Sequence, residues 1–258
     1  MDNPINTFTT ERIGFIELNR PEKRNALNAE MVESIKSALI SFNENKEVKV
    51  IVIKAAGKVF CSGADLAYLQ SLQSNTYEEN LEDSRNLKDL FFLIYTLPKV
   101  VIAQIQGHAL AGGCGLATVC DFSFTVPEAK FGYTEVKIGF VPAIVKVFLI
   151  RKIGEGKARQ LLLDGDLIDA GEAKNMGIVN WVVAQDELEE KVLSYAKKLI
   201  RNNSGESLAL TKEMIARVQE KKLEKGLEYA ASMNAKARST ADCQRGIAAF
   251  LNKESISW

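Results

Sequence analysis

Two segments of this chain repeat the same order of strand, glycine-rich loop and helix. In the first, the run VKVIVIKAAG at residues 48–57 ends in glycine, and the loop KVFCSGAD then opens a helix at Asp65. In the second, VVIAQIQG at residues 100–107 leads through a glycine loop into a helix that starts at Gly112. Continuous Val/Ile runs bounded by glycine are typical of strands buried on both faces, which belong to helix-covered sheets. The sequence therefore predicts an α/β fold of repeated strand–strand–helix units.

The remainder of the chain has a different character. Near residue 190 the sequence changes from mixed to all-helical, with four amphipathic helices running to residue 251. No linker rich in Pro or Ser separates the two parts, so they should pack together rather than form independent domains. We therefore predict a core over residues 1–190 and a helical C-terminal subdomain over residues 191–258.

One helix boundary can be placed from side chains alone. Asn28 precedes a segment with apolar residues at helical spacing, and Asn is among the residues that best cap the first turn of a helix. The predicted buried face of this helix carries Met31, Ile35, Leu39 and Phe42.

Composition excludes several classes of partner. The 33 basic and 33 acidic residues balance, so no overall charge draws the chain to nucleic acid or to an anionic membrane. The longest apolar runs, such as FFLIY at residues 91–95, are too short to span a bilayer, and MDNPINTFTTERIGFIELN does not resemble a signal peptide. We expect neither nucleic acid nor membrane as a partner.

The cysteines and the single histidine limit the chemistry. Cys61, Cys114, Cys120 and Cys243 form no CxxC pair and no cluster with histidine, so we expect no metal site and reduced thiols in the cytoplasm. A Ser-His-Asp hydrolase would have to use His108, and the G-x-S-x-G elbow is missing from the sequence.

The two glycine loops have two possible roles. The first backbone N–H groups of a helix lack intrahelical partners, so two converging helix starts can bind an oxygen that develops negative charge. Alternatively, the glycines serve only tight turns and close packing, which is the favoured interpretation for either loop alone. A dinucleotide-binding fingerprint fails, because Gly113 and Gly115 supply G-x-G but Thr118 stands where a third small residue is required.

A carboxylate follows in the segment KFGYTEVKIGFVPA at residues 130–143. Glu135 lies among apolar residues, and such surroundings raise a carboxyl pKa and allow proton transfer near neutral pH. The alternative is a glutamate on the exposed edge of a strand, where Lys137 could share its face.

These segments together resemble the enoyl-CoA hydratase/isomerase (crotonase) superfamily. The resemblance is carried, in chain order, by NRPEKRNALN, FCSGADL, AGGCGLA with the following CDF, FGYTEVKIGFVPA, GIVN and GIAAFL. It implies a crotonase-like spiral of repeated ββα units with a helical C-terminal region, assembled as a homotrimer or a dimer of trimers. It also implies an acyl-CoA substrate whose thioester oxygen becomes an enolate oxyanion. Coenzyme A would then be part of the substrate, with no other cofactor.

The resemblance also assigns site residues. The backbone N–H groups of Ala64 and Gly112 would stabilise the oxyanion, and Glu135 would transfer protons. Lys23 or Arg24 would bind the CoA phosphates, and the C-terminal subdomain would complete a CoA pocket of this or a neighbouring subunit and contribute to trimerisation. Substrate or CoA contacts are therefore expected from Lys23, Arg24, Ser62, Gly63, Asp65, Leu66, Gly113, Gly115, Phe250 and Lys253.

One departure from the family pattern leaves the reaction open. Hydratases of the superfamily bring two glutamates to the enoyl group; Glu135 matches the second, whereas Gly115 stands at the first position. The chain could be a 2-enoyl-CoA hydratase that works with Glu135 alone, which is the leading interpretation, including branched substrates such as methylglutaconyl-CoA. It could be a Δ3,Δ2-enoyl-CoA isomerase, which needs only one proton shuttle, or a non-catalytic acyl-CoA-binding or scaffold protein. We further hypothesise that Gly115 makes room for a bulkier or branched acyl group.

Overall fold

Strands and helices alternate along the first two thirds of the chain, and helices alone follow. The structure is a computed structural model that describes residues 3–258, with only the backbone of Leu66. Its strands are β1 (Ile5–Thr10), β2 (Ile13–Leu18), β3 (Val50–Ala55), β4 (Val100–Ile105), β5 (Ala109–Leu110), β6 (Phe122–Thr125), β7 (Lys130–Gly132), β8 (Ile168–Asp169) and β9 (Trp181–Val182). Its helices are α1 (Ala29–Glu44), α2 (Leu66–Leu72), α3 (Tyr77–Thr96), α4 (Gly112–Val119), α5 (Val145–Ile153), α6 (Glu155–Asp164), α7 (Ala170–Met176), α8 (Leu188–Asn202), α9 (Gly205–Val218), α10 (Leu223–Arg238) and α11 (Ala241–Leu251).

The strands form two sheets. The larger has the order β1-β2-β3-β4-β6-β9, with β1 antiparallel to β2 and every other neighbouring pair parallel. The smaller has the order β5-β7-β8. Two successive units, β4-β5-α4 and β6-β7-α5, each give their first strand to the larger sheet and their second to the smaller one. The predicted α/β fold of repeated ββα units is confirmed.

The core lies between the larger sheet and the helices around it. All six residues of β4 are buried, as expected for a parallel strand covered on both faces. Helix α1 begins where the sequence predicts, because the Asn28 side chain accepts a hydrogen bond from the Met31 amide at 2.9 Å. Its four predicted face residues are buried. None of the described helices combines the length and apolar character needed to cross a bilayer.

Helix α8 packs on the sheet, and helices α9 to α11 follow it. The buried face of α8 contacts β3, β4 and β6, so the predicted boundary at residues 190–191 falls inside a helix of the core. Helix α9 is fixed to the core through Lys212, whose Nζ donates to Asp121 Oδ2 at 2.6 Å and to the Lys99 carbonyl at 2.9 Å. The division into two subdomains stays a prediction.

Candidate active site

In the loop that follows β3, the backbone amide of Ala64 points away from the segment with which the loop pairs. Leu27 pairs with this loop as in a parallel sheet: its N–H donates to the Gly63 carbonyl at 2.7 Å, and its carbonyl accepts from the Asp65 N–H at 2.9 Å. In such a pairing the central residue, Ala64, points its own N–H to the opposite side. Among the described residues, no acceptor takes a hydrogen bond from the Ala64 amide.

The loop that follows β4 brings a second free amide to the same place. Gly112 is the first residue of α4, so its N–H has no partner within the helix, and no other described group accepts from it. Ala111, just before it, has φ 49° and ψ −122°, a conformation that residues with a side chain rarely adopt. A Cβ built on Gly63 would lie only 3.5 Å from the Gly112 nitrogen, so the two loops are in contact.

The other loop glycines serve close packing. Gly63 has φ 93°, and a Cβ at Gly113 would lie 2.2 Å from the Cys61 carbonyl oxygen. Both predicted roles are therefore present at different positions: glycines let the backbones touch, and the contact exposes two unpaired N–H groups. The neighbouring thiols are not nucleophiles, because burial raises the pKa of Cys61 to about 12 and that of Cys114 to about 11.

Both free amides open into one cavity of about 300 Å³. Its apolar wall comes from α2, α3 and the segment that enters α5, and includes Leu69, Leu72, Leu87, Phe140, Val141, Ile144 and Val145. Its polar lining includes Ser62, Tyr68, Asp83 and Glu135. No Lys, Arg or His is among the described residues that line it. The cavity is thus apolar with a few polar groups, as small-molecule sites usually are.

Glu135 is the buried carboxyl group of this cavity. It starts a short 3₁₀-helix, Glu135–Ile138, and is only 9% exposed. Burial raises its pKa above the ordinary value of 4.5, and its Oε2 has no hydrogen-bond partner among the described atoms. The alternative of a glutamate on an exposed strand edge is therefore wrong; Lys137 instead pairs with Asp166 at 2.5 Å. A buried carboxyl group with an unpaired oxygen can accept or donate a proton.

A buried hydrogen bond fixes the segment of Glu135 to the helix that carries Gly112. The Tyr133 hydroxyl lies 3.0 Å from Thr118 Oγ1 on α4, and both side chains are buried. The Ala111 amide also donates to the Gly132 carbonyl at 2.8 Å. The carboxyl group and the amide are thus held on one framework.

Comparison with known proteins agrees with this geometry. The sequence profile described as enoyl-CoA hydratase/isomerase matches residues 9–258. The chain belongs to this family. It is therefore an enzyme of the enoyl-CoA hydratase/isomerase family, in agreement with the resemblance in its motifs.

Individual relatives match over nearly their whole length. A Thermus thermophilus protein that carries an enoyl-CoA hydratase name is 42% identical over 241 residues, which cover 93% of this chain and 95% of the relative. The crotonyl-CoA hydratase of Syntrophomonas wolfei is 34% identical, with 96% and 95% covered. A crystal structure of a Mycobacterium smegmatis enoyl-CoA hydratase superimposes with a TM-score of 0.92 at 28% identity, covering 100% of this chain and 99% of the other.

In this family member, Gly115 does not make room for substrate. A Cβ at Gly115 would lie 2.2 Å from Val145 Cγ1 and 3.1 Å from Phe91 Cε2. Val145 lines the cavity, whereas Gly115 is buried behind it. The hypothesis that Gly115 leaves space for a branched acyl group is therefore wrong, because the Val145 side chain already fills that space.

Of the remaining predicted residues in the first loop, one lines the cavity and another stabilises the surrounding structure. Ser62 lines the cavity. The Asp65 side chain instead caps α2 and forms a salt bridge with Arg20 at 2.9 Å, so its oxygens are engaged within the protein. The side chain of Leu66 lies outside the described part of the chain.

The predicted CoA-binding residues are not part of the cavity lining. Lys23 and Arg24 are exposed on the turn before α1, where the Arg24 carbonyl accepts a hydrogen bond from the Ser62 amide at 3.1 Å. Phe250, which is 81% exposed, and Lys253 lie at the end of α11. None of the four lines the cavity. Their roles stay predictions.

Sequence reasoning missed three cavity residues. Tyr68 on α2 donates its hydroxyl hydrogen bond to Asp83 on α3, and both line the cavity beside Val145. Their segments are polar and suggest solvent-exposed helices. Helical spacing could have identified Asp83, because it stands four residues before Leu87 and so lies on the same inward face of α3.

The raised pKa of Glu135 predicts a pH-dependent cost to stability. The folded state holds the proton of Glu135 more tightly than the unfolded state does. The stability that this proton contributes is therefore fully present below the ordinary pKa of 4.5, and it is lost as the pH rises through the raised pKa. We expect the free energy of unfolding of Glu135→Gln, taken relative to that of the wild type, to be higher at about pH 8 than at about pH 5 when both are measured by urea unfolding. The exposed Glu128→Gln should show no such gain. An equal difference at both pH values would contradict the buried, proton-binding state.

The packing of Val145 against Gly115 predicts a second result. Gly115→Glu should destabilise the fold by about 1–3 kcal/mol, the usual cost of overpacking. Adding Val145→Ala should recover part of this loss, seen as a non-additive free energy in a double-mutant cycle, with Val145→Ala alone as the control. If the urea midpoint of unfolding of Gly115→Glu equals that of the wild type, Val145 does not block this position.

Proposed function

We propose that this enzyme is a 2-enoyl-CoA hydratase in which Glu135 performs both proton transfers. The observation that supports this most is that an unpaired Glu135 oxygen shares one cavity with the two free amides of Ala64 and Gly112. A buried general acid–base beside an uncharged oxyanion site is what addition of water to an α,β-unsaturated thioester requires.

The proposed reaction follows from these groups. The thioester oxygen accepts hydrogen bonds from the Ala64 and Gly112 amides, which makes C3 electrophilic. Glu135 takes a proton from water as the oxygen bonds to C3, and the C2–C3 π electrons shift to form the enolate. Glu135 then returns the proton to C2, which completes the addition of water. Losing one oxyanion donor typically costs about 2.7–4 kcal/mol of transition-state stabilisation.

The Δ3,Δ2-enoyl-CoA isomerase remains the alternative. This reaction removes one proton from C2, beside the thioester carbonyl, and adds one at C4 as the double bond moves from C3–C4 to C2–C3, and one carboxyl group can carry that proton. The observation in its favour is that Val145 occupies the space beside Gly115, where the first glutamate of the family's hydratases would stand.

The lining of the cavity favours an acyl group without a terminal carboxylate. Methylglutaconyl-CoA would bring such a carboxylate next to Asp83 and Glu135, with no basic side chain among the described lining residues to pair with it. A volume of about 300 Å³ suits the acyl group and thioester, while the CoA nucleotide lies outside. The name of the crotonyl-CoA hydratase relative points in the same direction. We therefore propose a short, unbranched 2-enoyl-CoA, with CoA as part of the substrate and no other cofactor.

The reaction can be tested in deuterated water with mass spectrometry. Wild-type enzyme should add D₂O to but-2-enoyl-CoA, and Glu135→Gln should lose about 10²- to 10⁴-fold in turnover while still binding butanoyl-CoA. Glu128→Gln, with its exposed side chain, is the matched control. Double-bond migration in but-3-enoyl-CoA with deuterium exchange but no added water would establish the isomerase instead. Binding without either reaction would contradict both.

We further propose that the enzyme is a homotrimer or a dimer of trimers, with the C-terminal helices at the subunit contacts. The support is an excess of large apolar side chains that these helices expose in the single chain: Leu223, Leu227, Phe250 and Leu251. In this arrangement Phe250 and Lys253 reach the CoA pocket of a neighbouring subunit. The cytoplasmic location stays a prediction.

Light scattering tests the assembly directly. The mass should be three or six times the 28.5 kDa of one chain, and Leu227→Glu, which buries a charge at the proposed contact, should lower it. A monomeric wild-type protein would contradict the proposal.

A further inference from the structure

A second carboxyl group, Asp83, faces the cavity and is held by a tyrosine. Asp83 Oδ1 accepts the hydrogen bond of the Tyr68 hydroxyl, which joins α3 to α2. Asp83 Oδ2 has no partner among the described residues. Burial raises the pKa of Asp83, as expected for a carboxyl group drawn partly out of water. This leaves one strong acceptor free on a side chain that lines the cavity.

The two asparagines that line the cavity use their side-chain oxygens within the protein. Asn28 caps α1 through the Met31 amide, and Asn86 accepts a hydrogen bond from Lys36 Nζ at 2.7 Å. Of the two carboxyl groups in the lining, Glu135 is assigned to proton transfer. Asp83 is therefore the lining carboxyl group that remains to contact a polar atom on the acyl chain, and as an ionised acceptor it would form a stronger hydrogen bond than the neutral hydroxyls of Ser62, Ser84 and Thr134.

Asp83 does not replace the missing first glutamate. The Gly115 position touches Phe91 on α3, and Asp83 lies eight residues before Phe91 on the same helix. At 1.5 Å per residue this is about 12 Å along the helix axis, beyond the reach of an aspartate side chain. Asp83 therefore contacts a part of the substrate remote from the reacting carbons.

We propose that Asp83, oriented by Tyr68, selects acyl groups that carry a hydrogen-bond donor, a hydroxyl or an ammonium group, towards the end of the chain. This inference rests on the proposed function, because it requires the acyl group of a CoA thioester in the cavity. It deepens that function by naming the substrate class: ω-hydroxy- or ω-amino-2-enoyl-CoA. Asp83 would reject a terminal carboxylate, because two carboxylates would meet without a cation.

The preference can be measured with thioesters of matched chain length. At about pH 8, where carboxyl groups are largely ionised, kcat/KM should be about tenfold to a hundredfold higher for 6-hydroxyhex-2-enoyl-CoA than for hept-2-enoyl-CoA. Asp83→Leu should reverse this order, because an unpaired hydroxyl would then face an apolar wall. A third 2-enoyl-CoA of similar length should end in a carboxylate. Asp83→Asn should raise the activity towards this thioester, because the variant no longer brings two carboxylates together.

Two further variants separate selection from folding and chemistry. Asp89→Asn removes an exposed carboxyl group from the same helix and should leave the preference at its wild-type value. Tyr68→Phe should weaken the preference without reversing it, because Asp83 remains but is no longer oriented. A preference that survives Asp83→Leu, or a wild-type enzyme that prefers the methyl-terminated chain, would overturn the proposal. So would an Asp83→Asn variant that slows all three thioesters equally, because Asp83 would then act in the chemistry.

A binding experiment distinguishes failure of this inference from failure of the proposed function. Saturated 6-hydroxyhexanoyl-CoA and heptanoyl-CoA cannot be hydrated, so calorimetric titration reports recognition alone. If the wild-type enzyme binds the hydroxyl-terminated ligand more tightly than heptanoyl-CoA, and Asp83→Leu reverses this order of affinity, the role of Asp83 is supported even if the wild-type enzyme hydrates nothing. Equal affinities in an enzyme that hydrates but-2-enoyl-CoA would overturn the role of Asp83 and leave the hydratase proposal standing.

Discussion

The contact between two backbone loops is the constraint on which the site depends. A Cβ at Gly107 would lie 1.9 Å from the Lys58 carbonyl oxygen, and one at Gly113 would lie 2.2 Å from that of Cys61. No side chain fits at either point, so the loops after β3 and β4 can touch only because both residues are glycine. Once in contact they pair like strands, with Leu110 N–H donating to the Cys61 carbonyl at 2.9 Å. This pairing fixes the two free amides relative to each other before any substrate binds. The strained backbone of Ala111 persists because that contact and its hydrogen bond to Gly132 hold it in place.

Lysine side chains hold the ends of the surrounding helices. Lys49, Lys99, Lys152 and Lys157 each donate to two carbonyl groups near the end of a helix, those of α8, α1, α4 and α7 respectively. A cation at this end of a helix satisfies free carbonyls and opposes the negative end of the helix dipole. Lys152 does this for α4, the helix whose other end supplies the Gly112 amide. Burial lowers the pKa of Lys152, so the fold keeps this charge partly desolvated. The helix that presents an amide to the substrate is thus held at both ends.

Sequence alone could predict what depends on local chemistry. The buried Val/Ile runs, the Asn28 cap and the carboxyl group in an apolar segment follow from neighbouring residues, and the structure agrees with each. It could not predict contacts between distant segments. Val145 lies thirty residues after Gly115, and only their packing reveals that the space left by the glycine is filled. Asp65 lies in the predicted site loop, but its partner Arg20 is 45 residues earlier, so its supporting role was hidden. The spacing of Asp83 to Leu87 could give its face on α3, but not its contact with Tyr68 on another helix.

A single carboxyl group can serve as both base and acid only if its pKa lies near the working pH. In water a glutamate is almost entirely ionised at neutral pH and makes a poor acid. Burial of Glu135 shifts its pKa upwards, in the required direction, by destabilising the charged form, and Oε2 has no partner among the described atoms that would stabilise that form again. The same burial disfavours the folded state when the group is ionised, so the feature that suits Glu135 to proton transfer reduces the stability of the protein. Tight packing of Val145 against Gly115 and the buried hydrogen bond between Tyr133 and Thr118 stabilise the surrounding framework and so offset part of this cost. The absence of a second glutamate at position 115 is thus consistent with a site whose one carboxyl group is tuned by burial rather than by a charged neighbour.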